Sequence, residues 1–372
     1  MSDTLTTSFY HQHQSQGARF VDFAGVQMPI QYDTGILKEH EWVRTRAGIF
    51  DVSHMGQALI KGEGAAAILS RLTPSDFSKI PVWKCKYTLL LNEQGGIEDD
   101  LIVTRLAEDT FHLVVNASRT EHDLNYIKNH LTKDTELAPF APRTPLIALQ
   151  GPYAEDILVE ALSPRDDVRM LGFMMGLKTK LMGADVLITR TGYTGEDGFE
   201  ISIQGDDTTA QHIWLALSDD ENVKPIGLGA RDSLRLEAGF PLYGNDLDTT
   251  TTPVEAGLGW VVSKKHTGYL GEEVIRQQLE NGPPRKRIGI ALSERGIARE
   301  GTKLFSADGH EIGTMTSGGF CPSIKQAIGQ AYVTPEYGVP EKVVLAEVRN
   351  RRLRARTHRL NFIGQHKQNP GA

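Results

Sequence analysis

Residues 86–115 read KYTLLLNEQGGIEDDLIVTRLAEDTFHLVV, and their pattern predicts the structure of the surrounding region. Residues 86–92, 100–106 and 111–115 are rich in β-branched, aromatic and leucine side chains. The intervening Gly95 and Gly96 are turn residues that can reverse the chain between two strands. The spacing predicts a three-strand meander.

Two adjacent acids, Asp99 and Asp100, lie at the start of the second predicted strand. Side chains alternate between the two faces of a strand, so Asp100, Ile102 and Thr104 share one face and Asp99 points to the other. The two acids therefore cannot act as a paired carboxylate device. The pattern alone leaves two interpretations open, a single working carboxylate or two turn residues that begin a strand.

Composition narrows the class of protein. A chain of 372 residues is expected to form two or three domains. A hydrophobic fraction of 40% without a long apolar run predicts no membrane span, and a net charge of −7 argues against a dedicated nucleic-acid binder. Proteins and small molecules are the expected partners.

The cysteines and the N-terminus bear on location. Cys85 and Cys321 are too few for a disulfide framework and lack the spacing of a zinc site. Residues 1–17 are polar, without the apolar core of a signal peptide or the arginines of a transit peptide. We expect a cytoplasmic protein.

Further elements follow from periodicity and turn residues. Strands are predicted at 144–150, as a hairpin-like pair at 178–190, and at 199–203, and helices at 121–131, from 153, at 209–217 and at 231–237. Residues 281–287, with paired prolines and unpaired charges, predict a linker and a boundary near 282. Short β-like runs alternating with glycines beyond it indicate a small all-β domain.

Two arginines on the last predicted helix form a candidate anion site. Arg231 and Arg235 are four residues apart and therefore lie on one helix face. The alternative is a solvated face on which Asp232 and Glu237 are local partners. Spacing does not decide between the two.

Residues 191–200, TGYTGEDGFE, place three glycines around an aromatic ring and three acids. Such a loop brings backbone close to a flat ligand, although a tight structural connection has a similar composition. The loop has no Gly-Lys-Ser/Thr sequence, so it is not expected to cradle phosphate.

Two other clusters have weaker functional interpretations. His11 and His13 have the spacing of a metal pair but no third ligand nearby, so we expect a surface histidine pair and no metal site. Residues 349–359 contain six arginines that predict a strand with one cationic face. That face could attract an acidic partner or the acidic tail of a ligand, or it could be a solvated edge strand.

Several segments, in order, resemble the aminomethyltransferase family, the T-proteins of the glycine cleavage system. They are residues 17–25, 28–32, 48–56, 95–103, 115–117, 192–200 and 227–239. The resemblance runs nearly end to end.

The resemblance implies an α+β, three-lobed fold around a central cavity, with a β-barrel-like C-terminal lobe. Its expected parts are a first folate-binding lobe of residues 1–53 and 140–250, a second lobe of 54–139 and 251–281 that carries the catalytic aspartate, and a C-terminal domain of 282–372. The boundary near 282 predicted from the linker agrees with this division.

The resemblance also implies a reaction. Family members transfer the one-carbon unit of an aminomethyl group, carried on the lipoyl arm of the H-protein, to tetrahydrofolate, releasing ammonia and giving methylenetetrahydrofolate. The family's catalytic aspartate falls on Asp100. The positions implied around the folate are Met55, Tyr87, Leu89, Asn116, Tyr193, Glu200 and Arg231. Residues 360–368 match the family poorly, and we assign no folate ligand there.

Two alternatives remain at this stage. A folate-dependent demethylase of the same superfamily would use similar folate residues but take a methyl group from a small donor. Non-catalytic folate-binding relatives carry a cysteine in a Gly-Gln-Glu signature, whereas the comparable residues 269–273, YLGEE, contain none. Retention of Asp100 also disfavours the second alternative.

Overall fold

The computed structural model describes residues 5–162 and 166–364. The strands in these ranges are β1 (Leu5–Thr6), β2 (Arg19–Phe23), β3 (Val26–Gln31), β4 (Ala47–Asp51), β5 (Gly56–Lys61), β6 (Cys85–Leu91), β7 (Ile97–Ala107), β8 (Thr110–Val115), β9 (Glu136–Pro139), β10 (Leu146–Gln150), β11 (Gly176–Leu181), β12 (Ala184–Thr189), β13 (Gly198–Gln204), β14 (Val223–Pro225), β15 (Lys286–Leu292), β16 (Lys303–Phe305), β17 (Glu311–Cys321), β18 (Gln326–Val333), β19 (Val343–Val348) and β20 (Arg351–His358).

The α-helices in the same ranges are α1 (Tyr10–Ser15), α2 (Ile36–Thr45), α3 (Ala65–Leu72), α4 (Thr120–Lys128), α5 (Ala154–Ala161), α6 (Asp166–Arg169), α7 (Asp207–Ser218), α8 (Leu228–Ala238) and α9 (Glu272–Asn281). Short 3₁₀ turns lie at Phe77–Lys79, Ala117–Arg119, Gly259–Val261 and Pro335–Tyr337. The predicted strands and helices are present, with ends within about three residues of expectation. No helix of the described ranges is both long and apolar enough to cross a membrane.

The predicted meander is confirmed as β6, β7 and β8, part of a five-stranded sheet of order β6-β7-β8-β5-β9 with antiparallel neighbours. Strand β7 begins earlier than predicted, at Ile97, because the turn before it is tightly closed. The Asn92 side-chain oxygen accepts the N–H groups of Gln94 and Gly96, and Gly95 adopts a φ of 80° that favours glycine. Behind the sheet the fully buried rings of Phe77 and Phe111 meet edge to face at 5.9 Å.

A six-stranded sheet of order β11-β12-β13-β10-β4-β14 forms a separate layer, in which only β14 runs parallel to its neighbour β4. Its core includes Trp214 of α7, which is fully buried. Strand β4 leads directly into the loop that carries Met55, and β13 carries Glu200. Two predicted site residues are therefore placed by this sheet rather than by the meander.

The C-terminal strands form a closed barrel of order β15-β18-β17-β16-β19-β20, which confirms the predicted β-barrel-like domain. Strand β20 also has its predicted cationic face. Arg352, Arg354 and Arg356 are exposed, while Leu353 and Ala355 between them are buried. Alternation therefore separates the cations from the barrel interior.

Helix α8 joins the layers. It begins at Leu228, three residues earlier than predicted, and ends at Gly239 as the sequence indicates. Gly239 has a φ of 80°, and a Cβ at this position would lie 2.4 Å from the backbone of Leu360, just after the barrel. Only glycine fits such a helix end, so the helix and the chain leaving the barrel pack backbone against backbone.

The expectation of a surface histidine pair is wrong for His13. Its ring is fully buried, with Nε2 3.0 Å from Asp51 Oδ2 and Nδ1 2.9 Å from the Tyr32 hydroxyl, whereas His11 is exposed. Both lie on α1, where residues two apart point to nearly opposite sides. The spacing that suggested a pair therefore separates the two rings.

The expected lobe boundaries remain a proposal. The six-stranded sheet draws its strands from residues 47–51 and 146–225, and the five-stranded sheet from 56–139. We retain the division into 1–53 with 140–250, 54–139 with 251–281, and 282–372. Residues 1–4, 163–165 and 365–372 lie outside the described residues.

Candidate functional site

Asp100 lies on β7, where two neighbouring strands supply donors to its carboxylate. The Tyr87 hydroxyl on β6 donates to Oδ2 at 3.0 Å, and the Asn116 side chain, just after β8, donates to Oδ1 at 2.8 Å. The strand register places Leu89 directly opposite Asp100. The meander therefore holds the carboxylate from both sides, as a rigid strand can and a loop cannot.

Asp99 is fully buried, in contrast to the partly exposed Asp100, as strand alternation predicts. Asp99 accepts the Asn116 backbone N–H at 3.2 Å and the Asn116 side-chain amide at 2.9 Å. The same amide therefore bonds both acids. Although the two aspartates face opposite ways, Asn116 links them.

The environment of Asp100 changes its acidity. Burial first, and then the charge of Asp99, raises the pKa of Asp100 from 3.8 to about 7, against the opposing hydrogen bonds from Tyr87 and Asn116. A carboxyl group that titrates near neutral pH can both hold and release a proton under physiological conditions.

Arg231, in the first turn of α8, forms the second part of the site. Its guanidinium lies 4.8 Å from the ring centroid of Tyr193, and its Nη2 is 4.0 Å from Met55 Sδ. Its Nη1 is buried and has no acceptor among the described residues. Because buried donors in proteins are nearly always bonded, this free donor indicates a ligand position.

Glu200 supplies the acceptor of the second part. Its Oε2 accepts the Thr191 hydroxyl at 2.6 Å, which fixes the carboxylate on β13. Burial lowers the pKa of Arg231, while the Glu200 charge acts in the opposite direction and favours the cation. The two side chains thus form a donor and an acceptor of opposite charge.

Tyr193 connects the two parts electrostatically. Its hydroxyl donates to the Pro241 carbonyl, and its ring stacks on Phe240 at 5.8 Å between centroids. Burial raises the pKa of Tyr193, and the charge of Asp100 raises it further. The loop at 191–200 therefore lies within electrostatic reach of Asp100.

The structure covers one predicted position. Leu89 has no exposed surface and belongs to the core of the five-stranded sheet. Six of the other predicted residues are partly exposed, and so is Asp100. They are Met55, Tyr87, Asn116, Tyr193, Glu200 and Arg231. Leu89 is therefore placed to support Asp100 from the neighbouring strand rather than to present a surface.

Trp260 also lies at the site, although the sequence did not indicate it. Its ring is 64% exposed and stacks on Tyr87 at 5.8 Å and an interplanar angle of 23°. An exposed tryptophan beside a catalytic candidate offers a flat apolar surface to a ligand. In the sequence, the feature that could have drawn attention to Trp260 is its place just after Gly257 and Gly259.

His54 was also missed, although it immediately precedes Met55. Its Nδ1 is buried without a partner among the described residues, and its ring meets Phe23 edge-on at 5.3 Å. Burial, and then the Arg231 charge, lowers the pKa of His54 from 6.5 to about 4. The imidazole is therefore neutral at physiological pH and leaves Arg231 as the local cation.

Arg235 does not join Arg231 at the site. It is 3% exposed and paired with Asp246 and Asp232, each at 2.8 Å. Arg235 thus has the predicted local partner Asp232, but its side chain is buried and not on the solvated face that the alternative expected. The predicted second partner, Glu237, instead binds Arg44 and His40.

Two further expectations concern a metal site and the C-terminal segment. Within residues 5–162 and 166–364, no group of three or more His, Cys, Asp or Glu side chains is arranged to hold a metal ion. Of residues 360–368, where we assigned no folate ligand, 365–368 lie outside the described residues.

Comparison with known families decides the kinship. The family model for the GCVT N-terminal domain matches residues 9–266, and that for the glycine cleavage T-protein C-terminal barrel domain matches residues 285–363. The chain belongs to the glycine cleavage T-protein family.

Relatives agree over nearly the whole length. The chain is 41% identical to the aminomethyltransferase of Geobacillus kaustophilus over 94% of this chain and 96% of that one, and 40% identical to that of Geobacillus thermodenitrificans over 94% and 95%. The crystal structure of the glycine cleavage system aminomethyltransferase T from Bartonella henselae superposes with a TM-score of 0.91 at 38% identity, covering 98% of this chain and 99% of that one. The predicted fold and the prediction of an aminomethyltransferase are confirmed.

Proposed function

We propose that this protein transfers the one-carbon unit of an aminomethyl group from the lipoyl arm of the H-protein to tetrahydrofolate. The carbon–sulfur bond breaks, ammonia and the reduced dihydrolipoyl arm are released, and 5,10-methylenetetrahydrofolate forms. Family membership supports a folate substrate and the glycine cleavage reaction. The choice of tetrahydrofolate, of the lipoylated H-protein and of each site residue is our proposal.

One observation carries the proposal. Asp100 presents a carboxylate held by Tyr87 and Asn116, with a pKa near neutrality, within electrostatic reach of the loop whose Tyr193 ring underlies the free donor of Arg231. A proton-exchanging group and an unsatisfied recognition group thus belong to one site.

Glu200 and Arg231 suit the two edges of a pterin ring. A carboxylate can accept paired hydrogen bonds from the 2-amino and ring N–H groups, and a guanidinium can donate to the carbonyl side. The unpartnered Nη1 of Arg231 supports this role, since it is a donor without an acceptor. Neutral His54 does not compete with Arg231 for an acceptor as a second cation would.

Tyr87, Trp260 and Met55 provide apolar contact. The Tyr87–Trp260 stack leaves most of the indole exposed, so a flat aromatic group can pack against it. Leu89 is fully covered, so we revise its proposed role from folate contact to support of the Asp100 strand.

Asp100 has two tasks in the proposed reaction. As a carboxylate it stabilises the positive charge that develops on the one-carbon unit when ammonia leaves. As a group that titrates near neutrality it assists proton transfer at the attacking folate nitrogen. Tyr87 and Asn116 fix its orientation for both.

The test is a reconstituted assay with aminomethyl-loaded H-protein and tetrahydrofolate, in which ammonia release is followed. Asp100→Asn is expected to lower turnover by on the order of 10²–10³-fold, because one preorganised electrostatic contribution is lost. Folate binding, measured by calorimetry, should stay within about threefold. Asp109→Asn, in the exposed turn after β7, is the matched control and should leave turnover unchanged.

Two outcomes would overturn the proposal. Near-native turnover of Asp100→Asn would remove Asp100 from the chemistry. Methyl transfer from a small sulfonium or amine donor, without ammonia release from the loaded carrier, would favour the demethylase. A reducing, cytoplasmic location belongs to the proposal and is supported by the two buried, unpaired cysteines.

A further inference from the structure

Asp123, on α4, lies buried beside the acids of β7. It is fully buried, and neither of its carboxylate oxygens accepts a hydrogen bond from an N–H or hydroxyl group of the described residues. Among the described residues it makes a hydrogen-bonding contact, carboxyl to carboxyl, with Asp99. Arg119 supplies a cation at the edge of contact, with its Nε 4.0 Å from Asp123 Oδ1.

Two buried carboxyl groups in contact cannot both be ionised without a large electrostatic cost, so such a pair shares one proton. The donors decide which acid keeps it. Asp99 accepts the Asn116 backbone N–H at 3.2 Å and its side-chain amide at 2.9 Å, and both bonds stabilise a carboxylate. Asp123 accepts none, so the proton belongs on Asp123 and points to Asp99.

The other charged groups around the acids do not reverse this order. The Arg119 cation is divided between Asp123 and Glu98, whose Oε2 lies 3.4 Å from Arg119 Nη2 and 2.8 Å from His122 Nε2. The Arg119 guanidinium also lies over the Tyr243 ring at 5.0 Å.

Three tyrosines also lie near the acids. Tyr87, Tyr193 and Tyr243 face the acids from three other segments, and burial raises the pKa of each, so they stay neutral. Burial, and then Asp99, raises the pKa of Asp123 to about 10, in the direction that the donors require.

We propose that Asp123 is a positioning residue for Asp100 that acts through Asp99: Asp123 keeps a proton, donates it to Asp99, and so keeps Asp99 as the ionised neighbour against which Asp100 titrates. No proton leaves Asp123 during the reaction. Asn116 connects Asp99 to Asp100, because its side-chain amide donates to Asp99 at 2.9 Å and to Asp100 at 2.8 Å. The role in turnover rests on the proposed function, but the titration does not.

The consequence concerns the working pH of Asp100. An ionised neighbour raises the pKa of a carboxyl group, and without the donor the buried Asp99 would itself take up a proton. Asp100 would then ionise beside a neutral group and at lower pH. A buried residue with no contact to substrate thereby sets the pH range over which Asp100 exchanges protons.

The test follows the carboxyl carbons of the full-length protein by NMR after ¹³C labelling of aspartate, with Asp100→Asn and Asp123→Asn used to assign the two signals. In the native protein the Asp123 signal should stay at its protonated position up to pH 9, while Asp100 titrates near pH 7. A native Asp123 signal that is already ionised at pH 7 would overturn the proposal without any variant.

Two variants of Asp123 separate positioning from packing. Asp123→Leu removes the donor and is expected to lower the pKa of Asp100 by about 1 unit or more. Asp123→Asn keeps a donor toward Asp99, because the amide N–H can replace the carboxyl proton. The pKa of Asp100 should therefore stay within about 0.3 unit of its value in the native protein. An unchanged pKa of Asp100 in Asp123→Leu, or equal shifts of that pKa in both variants, would contradict the proposed role of Asp123. Should the leucine variant fail to fold, Asp123→Ala replaces it.

In turnover, the acid limb of the kcat/KM profile should move to lower pH in Asp123→Leu and stay in place in Asp123→Asn. A purely structural Asp123 would change stability but not this limb. If the native protein shows no aminomethyl transfer, the proposed function fails, while the NMR titration still decides whether Asp123 keeps its proton and sets the pKa of Asp100.

Discussion

Arg231 and Arg235 lie one turn apart on α8, yet they have opposite bonding states. Arg235 donates to Asp246 and Asp232, each at 2.8 Å, and to Ser317 at 3.0 Å. Arg231 has a buried Nη1 without an acceptor among the described residues. Arg235 therefore stabilises the fold, whereas Arg231 is available to a ligand. The difference is that Arg231 has a donor without an acceptor.

Glu237 and Asp100 repeat the contrast for carboxylates. Glu237 lies 3.0 Å from both His40 Nε2 and Arg44 Nη2. Burial alone would raise its pKa, but His40 first, and then hydrogen bonds from the Cys321 thiol and the Ser323 backbone N–H, lower the pKa of Glu237 to about 2. Asp100, held by neutral donors beside another acid, is shifted the other way to about 7. A carboxyl group paired with cations stays ionised over the physiological pH range, whereas one held by neutral donors beside another acid can gain and lose a proton there.

The largest effect is expected for Arg235→Met. The buried Asp246 would lose its cation, and breaking a buried pair in this way costs about 3–5 kcal/mol of folding free energy. Urea unfolding measures the loss. The control is Asp232→Asn, whose side chain is 60% exposed and whose removal should cost about 1 kcal/mol or less. Native stability in Arg235→Met would show that this pair does not hold the fold.

Arg231→Met should give the opposite result. Tetrahydrofolate binding is expected to weaken by about 1.5–3 kcal/mol, the usual contribution of a hydrogen bond to a charged group. Stability should stay equal or rise, because a buried donor without a partner is removed. Calorimetric titration and urea unfolding measure the two quantities. Lost stability with unchanged affinity would place Arg231 in the same structural class as Arg235.

The smallest expected effect is a pH dependence of stability. The pKa of Asp100 is raised from 3.8 to about 7, so its stabilising contribution is present at low pH and lost as pH rises through 7. Asp100→Asn lacks this loss and should exceed the native protein by about 0.5–2 kcal/mol at pH 8, with a smaller gap at pH 5.

Glu237→Gln supplies the contrast in the same unfolding series. The pKa of Glu237 is lowered from 4.5 to about 2, so its contribution is present above pH 4.5 and is lost as pH falls toward 2. Its deficit against the native protein should therefore shrink in acid. A gap between Asp100→Asn and the native protein that widens in acid would contradict the raised pKa of Asp100.

Local pattern was a sound guide wherever a regular element decides the outcome. The meander, the end of α8 at Gly239 and the alternating arginines of β20 all follow from periodicity and turn chemistry. It failed at His13, because two residues on a helix that appear paired in sequence point apart. It also could not find Trp260 or Asp123, whose partners Tyr87 and Asp99 are far away in the chain.

The strands, the helix ends and the separation of Asp99 from Asp100 could be predicted from local sequence, because they depend on backbone geometry repeated over a few residues. Family resemblance in the sequence selected Asp100. The tertiary structure was needed to show which charged groups have partners. It shows that Arg235 is paired, that Arg231 has a free donor, and that the carboxyl groups of Asp123 and Asp99 are in contact. Acidity and free bonding capacity depend on burial and on partners brought together from distant segments, and no local pattern specifies them.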